Sequence, residues 1–124
     1  MVAAAAASAT LAREDLLEIY RRMRLARRFE ETVNELYLQG RIPSTLHLAI
    51  GQEAPAVGVL QQLEPGDTVF STHRPHAHAL AHGVSPHAMM AELMAKATGT
   101  CKGKGGSMHI GDFTQGFVPA IAIV

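Results

Sequence analysis

The residues best suited to chemistry in this chain are histidines and glycines, and both classes are clustered. His73, His76, His78, His82 and His87 crowd into one short stretch. His78 and His82 stand one helical turn apart, a spacing that lets two imidazoles chelate zinc, copper or nickel from one face of a helix. No Asp, Glu or Cys lies among these histidines to complete a familiar ligand signature, and the glutamate of His-Glu-x-x-His is absent. The stretch therefore fits either a metal-binding protein or a mixture of exposed histidines with one or two site residues.

The second candidate is the loop Cys101-Lys102-Gly103-Lys104-Gly105-Gly106-Ser107. From Gly99 it gives glycine, three residues, then Gly-Lys, whereas a P-loop needs four intervening residues and a Ser or Thr after the lysine; here Gly105 follows. The dinucleotide fingerprint fails as well. What survives is a pliable backbone with free amides and two lysines, able to wrap an anion or to serve as a plain surface loop. Cys101 has no spacing that ties it to a base and reads as a bystander thiol. Glu53, after Gly51-Gln52, supplies either a carboxylate for acid–base work or an acid in a helix first turn.

These side chains need elements to hold them. Leu16, Ile19, Tyr20, Met23, Ala26, Phe29, Val33, Leu36 and Tyr37 recur at threes and fours, predicting one helix from Ala12 to Leu38 with Thr10 as N-cap and Gly40 as stop. Arg21, Arg22, Arg24, Arg27 and Arg28 lie within helical reach of Glu18, Glu30, Glu31 and Glu35, which reads as a solvated outer face. A loop at Arg41–Ser44, an unassigned stretch at Thr45–Gly51 and a short helix within Gln52–Leu63 follow, with Pro55 in the first turn. Glu64-Pro65-Gly66-Asp67 has turn chemistry, and Thr68–Thr72 reads as one buried strand. His76–His82 is a short helix or turn. Ser85-Pro86 starts a helix expected to reach about Thr98 and to end at Gly99.

Composition narrows the class. The chain has 124 residues, 48% of them hydrophobic and 18% charged, enough for one modest domain with a core of its own. Eleven Lys+Arg balance eleven Asp+Glu, which argues against broad attraction to nucleic acid or to anionic lipid. One cysteine excludes an internal disulfide framework, and no apolar run approaches the roughly 20 residues that span a bilayer. The alanine-rich residues 1–11 read as a disordered leader without the basic start of a signal peptide, so the chain is expected in the cytoplasm. The apolar run Phe117–Val124 suggests a surface that something else covers.

Taken in chain order, the motifs form one pattern. Leu46-His47-Leu48-Ala49-Ile50-Gly51-Gln52-Glu53-Ala54, Ser71-Thr72-His73-Arg74-Pro75-His76, Met90-Ala91-Glu92-Leu93 and Lys102 to His109 closely resemble the alpha subunit of thiamine-diphosphate-dependent 2-oxo acid dehydrogenases, the E1 components. The resemblance runs from about Leu16 to Val124, and Ser-Thr-His-Arg looks more like the acetoin branch than the pyruvate branch.

The resemblance implies an α/β fold, with residues 12–124 as the N-terminal portion of an E1-alpha-like domain: a helical part plus the start of a thiamine-diphosphate-binding parallel-sheet domain, incomplete in this chain. It implies that Arg74 contacts the cofactor diphosphate and that His73 reaches it too, in place of a tyrosine common in the family. His47 and His76 match active-site histidines near the thiazolium and substrate, while carbonyls at Ala122 and Val124 match those that receive the aminopyrimidine amine. The family reaction decarboxylates a 2-oxo acid or cleaves acetoin and passes the acyl unit to a lipoyl group on a partner acyltransferase.

A beta-type subunit is then expected as partner, supplying the glutamate that activates the cofactor. The Mg2+ ligands are expected on another chain, because the Gly-Asp-Gly…Asn-Asn segment that carries them in the family has no counterpart here. That makes this chain one piece of a split alpha subunit, inactive alone, with a separate C-terminal alpha piece to complete it. Pro75 and Ala77 beside His76, and Ala122 where the family has glycine, depart from the pattern. They leave a non-catalytic regulatory or stabilising partner as an alternative, beside the histidine-rich metal-binding protein.

Overall fold

The periodic stretch forms the longest helix. In the computed structural model, which describes residues 11–122, α1 runs Arg13–Leu38 with Glu14 and Asp15 in its first turn, where unpaired amides favour negative charge. Gly40 ends it at φ +70°, a left-handed conformation that lets its N–H reach the Tyr37 carbonyl and the Arg41 N–H reach that of Leu36. Ala12 precedes the helix without a side-chain cap; Thr10 and, Leu11 apart, the expected leader lie outside the described residues. The expected apolar face is only partly covered. Its buried members fall between Ala26 and Val33, while Leu16, Tyr20 and Tyr37 are exposed, because the helix outruns the elements packed on it.

Short elements fill the rest: α2 (Glu53–Leu60), β1 (Val69–Thr72), α3 (His76–His82), α4 (Pro86–Leu93), a 3-10 turn at Phe113–Gln115 and β2 (Phe117–Ala122). Pro75 precedes α3 with φ −83°, close to the value its ring imposes, and its carbonyl accepts the first helical bond, from Ala79 N–H at 2.7 Å. Ser85 caps α4 by accepting the Ala88 N–H, with Pro86 in the first turn as expected. That helix stops at Leu93, short of the expected Thr98. Ala95 takes φ +54°, and the following segment folds back over the helix end instead of extending it.

β1 and β2 pair in parallel, Val69 opposite Phe117 and Thr72 opposite Ala122, with an irregularity between. The strand predicted at Thr68–Thr72 thus finds its partner near the other end of the described chain. It is not buried: its residues alternate, Val69 toward the core and Phe70 outward at 64% exposure, since β2 covers one edge only.

The core draws most of its residues from α1, α3, α4 and the first residue of β2. Ala26, Phe29, Val33, Ala79, Met89, Leu93, Ile110 and Phe117 enclose one another, and burying Phe117 alone contributes about 2–3 kcal/mol. Ala77 is part of this core and Pro75 is fully buried, so two of the three departures from the family pattern fill packed positions. The overall arrangement is of the expected class, a helical part with the start of a parallel sheet, although β1 comes between α2 and α3 instead of after all the helices.

Candidate functional site

The segment 45–50 has no regular structure, yet its backbone is held at three consecutive residues by side chains from three different places. The Ser107 hydroxyl accepts the His47 N–H at 3.1 Å. The Arg74 guanidinium, just after β1, donates to the Leu48 carbonyl. Glu30 of α1 accepts the Ala49 N–H at 3.0 Å. Such tethers replace the ladder bonds that a strand would supply.

At this segment three of the expected site residues meet. The His47 and His73 rings meet edge to face with centroids 5.3 Å apart, and Arg74 follows His73 directly. The buried Nδ1 of His47 has no hydrogen-bond partner among the described residues. Opposite Thr72, at the same end of the sheet, the pairing places the backbone of Ala122. Val124 lies outside the described residues.

His76 stands one layer deeper. Its ring is fully buried, edge-on to Phe29, with Nδ1 3.1 Å from both Glu30 oxygens and Nε2 3.0 Å from Ser107 Oγ. Glu30, His76 and Ser107 thereby have the connectivity of a nucleophile triad. Enclosure rules that chemistry out, because Ser107 is 1% exposed and its oxygen already accepts the His47 N–H. Glu30 also corrects the reading of the α1 charges. It is no part of a solvated face, whereas Glu18 with Arg22 and Glu31 and Glu35 with Arg28 are surface pairs.

The glycine–lysine loop does wrap an anion, and the anion is the protein's own. The Glu92 carboxylate receives Cys101 and Gly103 N–H on Oε2, at 2.7 and 2.8 Å, and Gly105 and Gly106 N–H on Oε1, at 2.7 and 3.2 Å. Burial pushes the Glu92 carboxyl upward, but the four amides outweigh it and hold the group below its ordinary value. This basket delivers Ser107 to His47 and His76, while Lys102 and Lys104 stay exposed. Cys101 donates its thiol to the His109 carbonyl, and burial raises it further from the thiolate.

Other candidates resolve into structural roles. Glu53 takes Arg27 side-on at 2.7 and 3.0 Å, which lowers its carboxyl to about 2 and makes it a poor proton carrier near neutrality. His78 bonds Ser71, its ring kept below the ordinary value by burial, and His82 donates to the Gln115 carbonyl. Among the described residues no group of three His, Cys, Asp or Glu side chains is placed to hold a metal. No helix among them is long and apolar enough to cross a membrane. A cleft of about 630 Å³ near Arg22, Asp67, His82 and Phe113 is lined by none of His47, His73, Arg74 or His76.

Reading the sequence alone misses Glu30 as a site residue and gives Glu92 and Ser107 no role. The signal was present for both acids: Glu30 falls between Ala26 and Val33 on the apolar stripe, and Glu92 follows Met89 at the same kind of spacing. A carboxylate on an apolar stripe needs a buried partner.

Comparison with known proteins gives the family of the chain. The chain is 50% identical over 115 residues to the alpha subunit of acetoin:2,6-dichlorophenolindophenol oxidoreductase from Bacillus subtilis (strain 168), covering 93% of this chain and 34% of that protein. It is 48% identical over 118 residues to the subunit of the same name from Cupriavidus necator, covering 95% and 35%. With the pyruvate dehydrogenase E1 component subunit alpha of Zymomonas mobilis it shares 54% over 99 residues, 79% of this chain and 28% of that one. The chain spans about a third of the length of these curated relatives. The model of the dehydrogenase E1 component matches residues 21–124, and the chain belongs to that family.

Proposed function

We propose that this chain supplies the N-terminal part of an E1 alpha subunit acting on acetoin or a small 2-oxo acid with thiamine diphosphate. The observation that carries the reading is the cluster of His47, His73 and Arg74, with the buried Nδ1 of His47, which has no partner among the described residues, in its midst. A half-buried guanidinium with one nitrogen on the Leu48 carbonyl keeps further N–H groups for phosphate oxygens. His73 sits beside it as a second donor; of the two histidines expected at the reaction centre, His47 faces the site and His76 stands enclosed behind it, supporting His47 through Ser107. Thiamine diphosphate, when bound, supplies the thiazolium at which such substrates are cleaved.

Carbonyls at Ala122 and Val124 would receive the aminopyrimidine. The Mg2+ ligands, the activating glutamate and the acyl acceptor would come from the rest of the assembly: a C-terminal alpha piece, a beta-type chain and a lipoyl-bearing acyltransferase or another acceptor, all in the cytoplasm. Pro75 and Ala77 fit packed positions without displacing His76, which favours a catalytic chain over a degenerate partner.

The test is to tag the chain in its source cells, recover its complex, and assay reduction of dichlorophenolindophenol with acetoin or pyruvate. Dependence on thiamine diphosphate and Mg2+, together with a beta-type chain in the complex, is expected. Arg74→Ala should weaken cofactor binding roughly 10- to 100-fold, the loss of a charge-assisted fork. A complex that turns over neither substrate, or a rate indifferent to Arg74, would sink the reading.

A further inference from the structure

The groups behind His47 form a line whose direction follows from elementary hydrogen-bond chemistry. A carboxylate can only accept, so Glu30, facing Nδ1 of His76 at 3.1 Å, requires the ring proton on Nδ1. A neutral ring protonated there presents Nε2 as an acceptor. The Ser107 hydroxyl, 3.0 Å away, must then donate its own proton to Nε2. Its lone pairs are left for the His47 N–H at 3.1 Å. A second strand of the same design joins at Glu30, where the Ala49 N–H arrives at 3.0 Å. Every donor in the array points toward one buried carboxylate, and Glu30, His76 and Ser107 are each at most 1% exposed.

We infer that Glu30 and Ser107, with His76 between them, are positioning residues: a one-way hydrogen-bond relay that fixes the backbone from His47 to Ala49. It thereby sets the aim of the His47 ring and of Arg74, which is held on the Leu48 carbonyl in the middle of that segment. The catalytic part of this inference rests on the reading that His47 and Arg74 face the cofactor. The relay reaches both without touching the reacting atoms, since its members are enclosed. Bonds in such a line polarise one another, so changing its far end is felt at the near end.

Two measurements separate the relay from the reading beneath it. The first is histidine and amide nitrogen NMR on the full chain, which needs no cofactor. His76 should be protonated on Nδ1 alone. Glu30→Gln should move that proton to Nε2, because the glutamine amide donates where the carboxylate accepted, and the His47 amide should shift with it. A His76 ring protonated on Nε2 or on both nitrogens in the unaltered chain, or a His47 amide blind to Glu30→Gln, would overturn the relay.

The second is the rate of the assembled enzyme. Glu30→Gln and Ser107→Ala should each lower kcat roughly 100-fold, the scale of an ångström of misplacement, with a change in KM of less than about tenfold. Unchanged kcat in both variants would overturn the positioning role. If the unaltered assembly shows no thiamine-diphosphate-dependent turnover, the functional reading fails and the catalytic role falls with it, while the proton on His76 still decides whether the relay exists.

Discussion

Two buried glutamates each organise an irregular segment of this molecule, and they do it differently. Glu92 gathers four backbone amides of the 101–106 loop, all of them donors that cannot become anything else. Glu30 gathers one amide and one imidazole, and an imidazole is donor or acceptor according to its tautomer. The first arrangement is rigid in chemistry as well as in shape. The second is adaptable at one end, which suits a group whose influence passes on to other residues.

The sharpest way to break that comparison is to make the same substitution twice. Glu92→Gln would turn an NH2 against two amides that can only donate, and should cost roughly 4 kcal/mol, since each stranded donor costs about 1–3. Glu30→Gln should cost only about 1 kcal/mol, because His76 can reverse its proton and meet the new amide. Urea unfolding of the two variants measures both, and equal losses would erase the distinction.

Next in size is Gly103→Ala. A Cβ there would lie 2.5 Å from the Ala95 carbonyl carbon at a backbone φ of +73°, so about 3 kcal/mol should be lost from the loop's closure over α4. Amide exchange should show Cys101 and Gly105 opening in that variant.

Glu53→Gln sharpens the comparison from another side, because Glu53 faces a side-chain cation as well as the Gly51 amide. The contribution of the Arg27 pair should be lost, a smaller drop in urea midpoint than for Gly103→Ala because the arginine is solvent-exposed. The sign with pH is definite. The folded carboxyl is lowered from 4.5 to about 2, so its contribution is present above 4.5 and is lost as pH falls toward 2. The gap in urea midpoint between the unaltered chain and Glu53→Gln should therefore close over that interval. Glu92, also lowered, loses its contribution in the same direction. Smallest of all, Lys102→Ala and Lys104→Ala should change stability by less than about 0.5 kcal/mol, since both side chains are exposed and the loop is held by its backbone.

Local chemistry made several elements readable before any fold was known. Apolar spacing marked α1, a glycine after its last periodic residue marked its end, and Ser85-Pro86 marked the start of α4. The end of α4 was not readable. Ala95-Lys96-Ala97-Thr98 favours continued helix by propensity, but the helix yields where Gly103 must approach Ala95 and where Glu92 calls the loop back. The burial of β1 was misjudged for a similar reason, since an apolar strand does not say how many neighbours it has.

By itself, then, the sequence determined the order of the helical stretches, the turn at Glu64–Asp67, and the motifs that mark the family, because each is written in near neighbours; His76–His82 it left as a helix or a turn. Only the tertiary structure decided which charges are interior. Glu30 lies 46 residues from His76 and Glu92 lies 9 to 14 residues from the amides it holds. Whether an acid on an apolar stripe is solvated, paired or wrapped depends on what the folded chain brings to it. A buried carboxylate persists only where those distant donors converge.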